Sequence, residues 1–115
     1  MGIGTDIEEI ERFLENIDNI DFLLKLFTQK ELDYCFSKKN PSQHLAARFA
    51  GKEAIIKALS GIEISGITFT EIEIINNNLG VPYVQFSRPG MDNIYVKISL
   101  SHSSTISIAF ALVMI

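Results

Sequence analysis

No apolar run approaches the roughly 18 residues that a membrane-crossing helix requires, so no membrane partner is expected. Cysteine is nearly absent. Cys35 stands alone, cannot close an internal disulfide, and suits a reducing, cytoplasmic setting as a small buried hydrophobe. Positive charge is also scarce. Ten Lys and Arg face fourteen Asp and Glu, a net charge of -4, which argues against a nucleic-acid partner. No Cys/His cluster suggests zinc, and neither a P-loop nor a G-x-S-x-G elbow occurs. The opening M-G-I-G-T-D-I-E-E has no basic n-region, so it does not read as a signal peptide. It misses a myristoylation pattern by placing Asp6 where Ser or Thr is needed.

The chain has 115 residues, the size of a single domain over 1–115, with an apolar fraction ordinary for a folded protein. Charge is distributed unevenly. Residues 1–21 hold seven acids against one base, Arg12, whereas residues 30–57 hold six bases against three acids. The basic middle reads either as a solvated helix surface, Lys38 and Lys39 included, or as a face for an anionic ligand.

Residues 2–7 predict a short strand by alternation. A helix is expected after it, with Ile7, Ile10, Phe13, Leu14 and Ile17 on one face and Asp6 as its N-cap. An apolar cluster from Phe22 to Phe27 leads to Thr28, which with Glu31 makes a capping box for a short helix ending near Ser37. Asn40 and Pro41 open the clearest helix, Ser42 to Leu59, which Gly61 stops. Strands follow over Phe69–Ile75, Tyr83–Phe86, Tyr95–Leu100 and Ile106–Ile115. The last two are joined through S-H-S-S-T as an antiparallel hairpin. Both faces of the last strand are apolar or small, so both are expected to be covered. The order strand, helices, meander predicts an α+β fold.

The long helix carries R-F-A-G-K-E-A-I-I-K, an apolar stretch with one carboxylate among three cations. Glu53 and Lys57 are spaced i, i+4, which as an exposed pair contributes only roughly 0.2–0.5 kcal/mol. At about 100° per residue, Arg48 and Lys57 point in opposite directions. A single ligand touches both only if it is long or if the helix lies between two surfaces. Asp6 and Glu53 are the acids best placed for a hard cation such as Mg²⁺, which takes one or two carboxylates and completes its shell with water and phosphate. His102 lies in a hydroxyl-rich turn that suits an anion, whereas His44 reads as helix surface.

In order along the chain, G-I-G-T-D-I-E-E-I-E-R-F, F-T-Q-K-E-L, A-A-R-F-A-G-K-E-A-I-I-K-A-L, E-I-E-I, G-V-P-Y-V and V-K-I-S-L-S-H-S resemble the holo-[acyl-carrier-protein] synthase family. This is the short, trimeric branch of the 4′-phosphopantetheinyl transferases. The resemblance implies a mostly antiparallel sheet packed on a long helix, in a protomer of a homotrimer. It implies transfer of 4′-phosphopantetheine from coenzyme A to a serine of apo-acyl carrier protein, leaving adenosine 3′,5′-bisphosphate. Carried over by position, Asp6 and Glu53 are the Mg²⁺ ligands, and Lys57 is the cation on the reacting phosphate. Arg48, Lys52, Gly80, Pro82, Ser101, His102 and Ser103 are coenzyme A contacts, and Arg12 is a docking contact for the carrier.

Two departures stand out. Val81 replaces a lysine common in the family, shifting the phosphate contacts toward Arg48 and Lys52. The first helix has Arg12 alone among acids where the family has several arginines, which is unfavourable toward an acidic carrier. Alternatives are a non-catalytic carrier-protein or nucleotide-binding trimer of the same fold, and a hydrolase of coenzyme A or nucleotide pyrophosphates.

Overall fold

The N-terminal segment G-I-G-T-D-I-E-E forms one unbroken strand, β1 (Gly2–Glu9), in a computed structural model that describes residues Met1–Ile115. The strand therefore runs past Asp6, where a helix was expected to begin. The reason is its partner. β5 (Ile106–Met114) pairs antiparallel with β1 along its whole length, from Gly2 opposite Val113 to Glu9 opposite Ile106. Backbone groups of residues 7–9 are thus used by the sheet, and Ile10 N–H still donates to Thr105 O at 2.9 Å. Asp6 caps no helix. α1 (Ile10–Glu15) starts after Glu9, and Ile17 lies beyond its end.

The apolar cluster after it is α2 (Ile20–Leu26), whose first turn Asn19 caps by accepting from Phe22 N–H at 3.2 Å. α3 (Gln29–Phe36) begins with the expected Thr28–Glu31 capping box. The long helix, α4 (Pro41–Ser60), has its predicted extent, although the Asn40 side chain makes no cap bond. Gly61 adopts right-handed φ -66, so it ends α4 without a left-handed residue. Its lack of a side chain instead admits Gly2, whose Cα would lie 3.4 Å from a Cβ there.

β2 (Ile72–Asn76) is shorter at its start than expected, because Phe69–Glu71 forms a 3-10 turn closed by a Thr68–Glu71 capping box. It pairs with β3 (Pro82–Phe86) as a separate two-stranded sheet. β4 (Tyr95–His102) completes the main sheet in the order β1-β5-β4. The fold is α+β, as the element order predicted.

Side-chain size decides how the main sheet meets α4. Gly2, Gly4, Ser107, Ala109, Ala111 and Val113 face the helix and are buried. A Cβ on Gly4 would lie 2.0 Å from Ala54 O, and one on Gly2 would lie 2.0 Å from Ala58 O. Small residues on both sides bring strand and helix backbones together. The bulky residues of the same strands, Ile3, Ile7, Ile108 and Phe110, point away and are exposed. The last strand is therefore covered on one face only within the protomer. A second core lies at the other end, where Phe13 stacks against Phe27 and Phe49 at 6.0 and 5.6 Å.

Gly4→Ala tests the close approach. Its methyl meets backbone rather than a movable side chain, so unfolding free energy should fall by about 1–3 kcal/mol or more. Urea titration reads this directly, and a loss below about 0.5 kcal/mol would mean the approach is not required.

Candidate active site

Because β1 lies so close to α4, alternate residues of the strand are delivered to the helix surface. Gly2 and Gly4 make the contact, and Asp6 and Glu8 follow on the same face. Lys57, near the end of α4, reaches back to donate to Thr5 O at 2.9 Å and to Asp6 Oδ1 at 3.3 Å. Asp6 Oδ2 is buried and has no partner. A buried carboxylate oxygen left without a donor or cation is unfavourable unless something else supplies it.

Glu53 stands one turn before Lys57 on α4. Burial raises its carboxyl above the usual range and the Asp6 charge adds to this, while Lys57 and Arg12 oppose it. Glu8 is pushed up to about 7 by burial first and then by the neighbouring Asp6 carboxylate, with Arg12 opposing and the Glu53 charge adding. Asp6, Glu8 and Glu53 thus repel one another around an unfilled acceptor. They do not close a metal shell by themselves, since no group of three or more His, Cys, Asp or Glu is drawn tightly enough together. That suits an ion that takes few carboxylates and fills its shell from water and phosphate. The orphaned Asp6 Oδ2 is the specific observation that fits a divalent cation. Glu8 was missed in the sequence reading because β1 was ended at residue 7; continuing the alternation from Asp6 would have found it.

Asp6 and Lys57 line a cavity of about 430 Å³ together with Ser99, Ser101 and Phe110. A second cavity of about 300 Å³ gathers Arg48, Gly80, Pro82, Ser101 and His102, five of the residues expected to contact coenzyme A. The two cavities share Ser99 and Ser101. Arg48 and Lys57 do point apart, and each lines one of the two neighbouring cavities.

Arg48 is only 3% exposed. Its guanidinium lies 4.2 Å over the Tyr34 ring and donates to Asn76 Oδ1, while Nε has no partner. Asn76 in turn donates to Gly80 O at 2.9 Å, tying the β2–β3 hairpin to the helix. His102 meets the Gln43 side chain at 3.0 Å through Nε2. Its Nδ1 lies 3.2 Å from Ser103 O. Ser103 lies outside this cavity. Its Oγ accepts from Thr105 N–H at 3.3 Å and Ile106 N–H at 3.2 Å, shaping the turn that presents His102. Val81 is exposed beside Pro82. His44, read as plain helix surface, also lines the cavity.

Lys52 requires a correction. It is fully buried and donates to Glu31 Oε1 at 2.6 Å, Leu26 O at 2.8 Å and Phe69 O at 2.9 Å. All three ammonium protons are used by the protein, leaving none for coenzyme A. Glu31 completes the hub by accepting from Thr28 N–H and Ile74 N–H, both at 2.9 Å. Burial lowers the Lys52 ammonium from its ordinary range, and Glu31 opposes this. Arg12 also has an internal role. It lies 5.1–5.8 Å over Phe13, Phe22 and Phe49 and pairs with Glu8 at 3.5 Å, although its side chain remains about half exposed. Cys35 is buried and its thiol is raised to about 11 by that burial, so it is unreactive.

A carboxylate cluster near a cavity lined by Arg48 and two imidazoles is suited to a phosphorylated ligand. A family model described as the 4′-phosphopantetheinyl transferase superfamily matches residues 2–111, and the chain belongs to that superfamily. It is 43% identical to a holo-[acyl-carrier-protein] synthase of Protochlamydia amoebophila, over 96% of this chain and 95% of the relative. A holo-[acyl-carrier-protein] synthase of Thermodesulfovibrio yellowstonii is also 43% identical, over 97% and 96%. Among solved structures, the Helicobacter pylori holo-[acyl-carrier-protein] synthase in complex with coenzyme A superposes with a TM-score of 0.82 and 31% identity, covering 97% of this chain and 99% of that one. The Bacillus anthracis synthase in complex with CoA (3',5'-ADP) gives 0.81 and 30%, covering 97% and 94%.

The hub predicts a specific outcome for Lys52→Met. Leaving Glu31 buried and unpaired should reduce unfolding free energy by about 3–5 kcal/mol, read by denaturant titration. Unchanged stability with weakened coenzyme A binding would return Lys52 to the ligand site.

Proposed function

We propose that the protein, as a single domain over residues 1–115, transfers 4′-phosphopantetheine from coenzyme A to a serine of apo-acyl carrier protein. The carrier serine Oγ bonds to the β-phosphorus of coenzyme A. The bond from that phosphorus to the bridging oxygen breaks, and adenosine 3′,5′-bisphosphate leaves. The observation that carries this reading is the pair of neighbouring cavities that share Ser99 and Ser101, one lined by Asp6 and Lys57 and the other by Arg48 and His102. A bisphosphorylated nucleotide joined to a long arm is an elongated ligand of the kind such a pair suits.

Asp6 and Glu53 are the residues that would hold Mg²⁺, the partnerless Asp6 Oδ2 being an oxygen free to accept it. When bound, the ion supplies positive charge to the diphosphate and to the charge that develops on it. The chain's own residues do the rest. Lys57 steadies Asp6 and offers an ammonium, 55% exposed, to the reacting phosphoryl group. Arg48, held by Tyr34 and Asn76, and His102, held by Gln43, anchor the nucleotide phosphates. Ser101, at the junction of the cavities, is placed to bond the intervening part of the ligand. The serine proton must also be removed, by water or by a carboxylate acting through water.

The working form is a homotrimer. Ile3, Ile7, Ile108, Phe110 and Tyr95 give all three strands of the main sheet an exposed apolar face, a surface suited to copies of the chain. Arg12 contributes to carrier docking through its exposed part, with acids around it. No helix is long and apolar enough to cross a membrane, and a cytoplasmic location follows from the proposed substrates.

Incubation with apo-acyl carrier protein, coenzyme A and Mg²⁺, followed by intact-mass spectrometry, tests the activity. A gain of one phosphopantetheine arm is expected. Binding without gain would identify a non-catalytic module, and nucleotide release without the carrier would identify a hydrolase. Glu53→Gln should lower the transfer rate at least about 100-fold with circular dichroism unchanged; an active variant would remove Glu53 from the metal site. Phe110→Asp should reduce the mass in light scattering from three chains to one, and an intact trimer would place the interface elsewhere.

A further inference from the structure

The cavity around Arg48 is also lined by His44, a titratable group. His44 sits one turn before Arg48 on α4 and stands edge-on to Tyr34, with ring centroids 6.1 Å apart at 84°. The same tyrosine carries the Arg48 guanidinium at 4.2 Å and the Lys38 ammonium at 4.7 Å. His102, presented from β4, lines the same cavity. No Asp or Glu lines it. Arg48 is almost fully buried, yet its Nε has no partner. One buried guanidinium and two imidazoles therefore line a cavity that holds no carboxylate, with the Lys38 ammonium against the same tyrosine.

The consequence for His44 follows from its surroundings. Burial first, and then the charges of Arg48, Lys38 and His102, lower it below the ordinary histidine range, and no acid opposes them. In the free protein it is held neutral. An entering phosphate reverses the sign of the local field, and the group best able to respond is an imidazole on the edge of ionising. Once protonated, both of its ring nitrogens can donate.

We propose that His44 is a ligand-binding residue of this cavity, taking up a proton as the phosphorylated end of an adenosine bisphosphate enters. This inference rests on the coenzyme A reading of the cavity and goes beyond it by adding a residue and a proton. The sign is defined. Proton uptake on binding means that affinity increases as pH falls, and the increase attributable to His44 is about tenfold between pH of roughly 8 and 6. Phosphate's own ionisation works in the opposite direction, and it is common to the wild type and any variant.

The chain has only two histidines, so one variant assigns both imidazole resonances. The wild-type protein is titrated by NMR with and without saturating adenosine 3′,5′-bisphosphate. The His44 midpoint should rise by at least about one pH unit when the nucleotide is bound. Calorimetry in buffers of different ionisation enthalpy should show proton uptake that His44→Gln reduces. A bound nucleotide with an unmoved His44 midpoint overturns the inference and leaves the coenzyme A reading intact. Failure of the wild type to bind the nucleotide at any pH overturns both.

Discussion

The depth at which β1 lies against α4 sets everything else in the protein. Gly2 and Gly4 on the strand meet the carbonyls of Ala58 and Ala54 on the helix, and a methyl at either glycine has nowhere to go. Ser107, Ala109 and Ala111 on the neighbouring strand are likewise small and buried. This contact is backbone against backbone, with almost no side chain to adjust it. It therefore fixes the rise of the strand relative to the turns of the helix, and so decides which strand residues meet which helix residues. Asp6 and Glu8 emerge at the end of that contact, alongside Lys57 and under the charge of Glu53. The carboxylates do not gather because they attract; they repel, and two of them respond by resisting ionisation. Packing elsewhere holds them there, leaving an acceptor that a cation can satisfy.

The mixture of charges on α4 resolves into separate tasks. Lys52 points inward and ties the helix to Glu31, to the end of α2 and to the 3-10 turn. Breaking such a buried pair is costly even where forming it contributes little, so it serves better as a lock on helix position than as a source of stability. Arg48 turns to one side, held by Tyr34 and Asn76, and Lys57 turns to the other toward Asp6. Glu53 is the one carboxylate among these cations, and burial opposes its charge. One helix thus joins a locked core to the walls of two neighbouring cavities.

Much of this was legible in the residues. The extent of α4, the Thr28–Glu31 box and the final hairpin all appear where caps, periodicity and turn residues placed them. Arg48, Gly80, Pro82, Ser101 and His102 are brought to one cavity. The losses have physical causes. A strand that continues through D-I-E-E looks like a helix start until its partner is known, because sheet pairing overrides a local capping signal. Lys52 carries the same one-letter signal whether buried or exposed, and only the position of Glu31, far away in sequence, distinguishes the two. Asn76 and His44 gain their surroundings from contacts between α4 and the β2–β3 hairpin, which no local pattern encodes. The exposed side of β5 looked like core because its residues are apolar, and apolar residues mark an interface as readily as an interior.

The central claim is that Asp6 and Glu53, remote in sequence, share one divalent ion with the diphosphate of coenzyme A. A crystal of the protein grown with Mn²⁺ and coenzyme A tests it most directly, because anomalous scattering locates the ion without assumption. The account predicts a single strong peak within bonding distance of both carboxylates and of the diphosphate oxygens. A peak bound by neither carboxylate, or by only one of them, would contradict it.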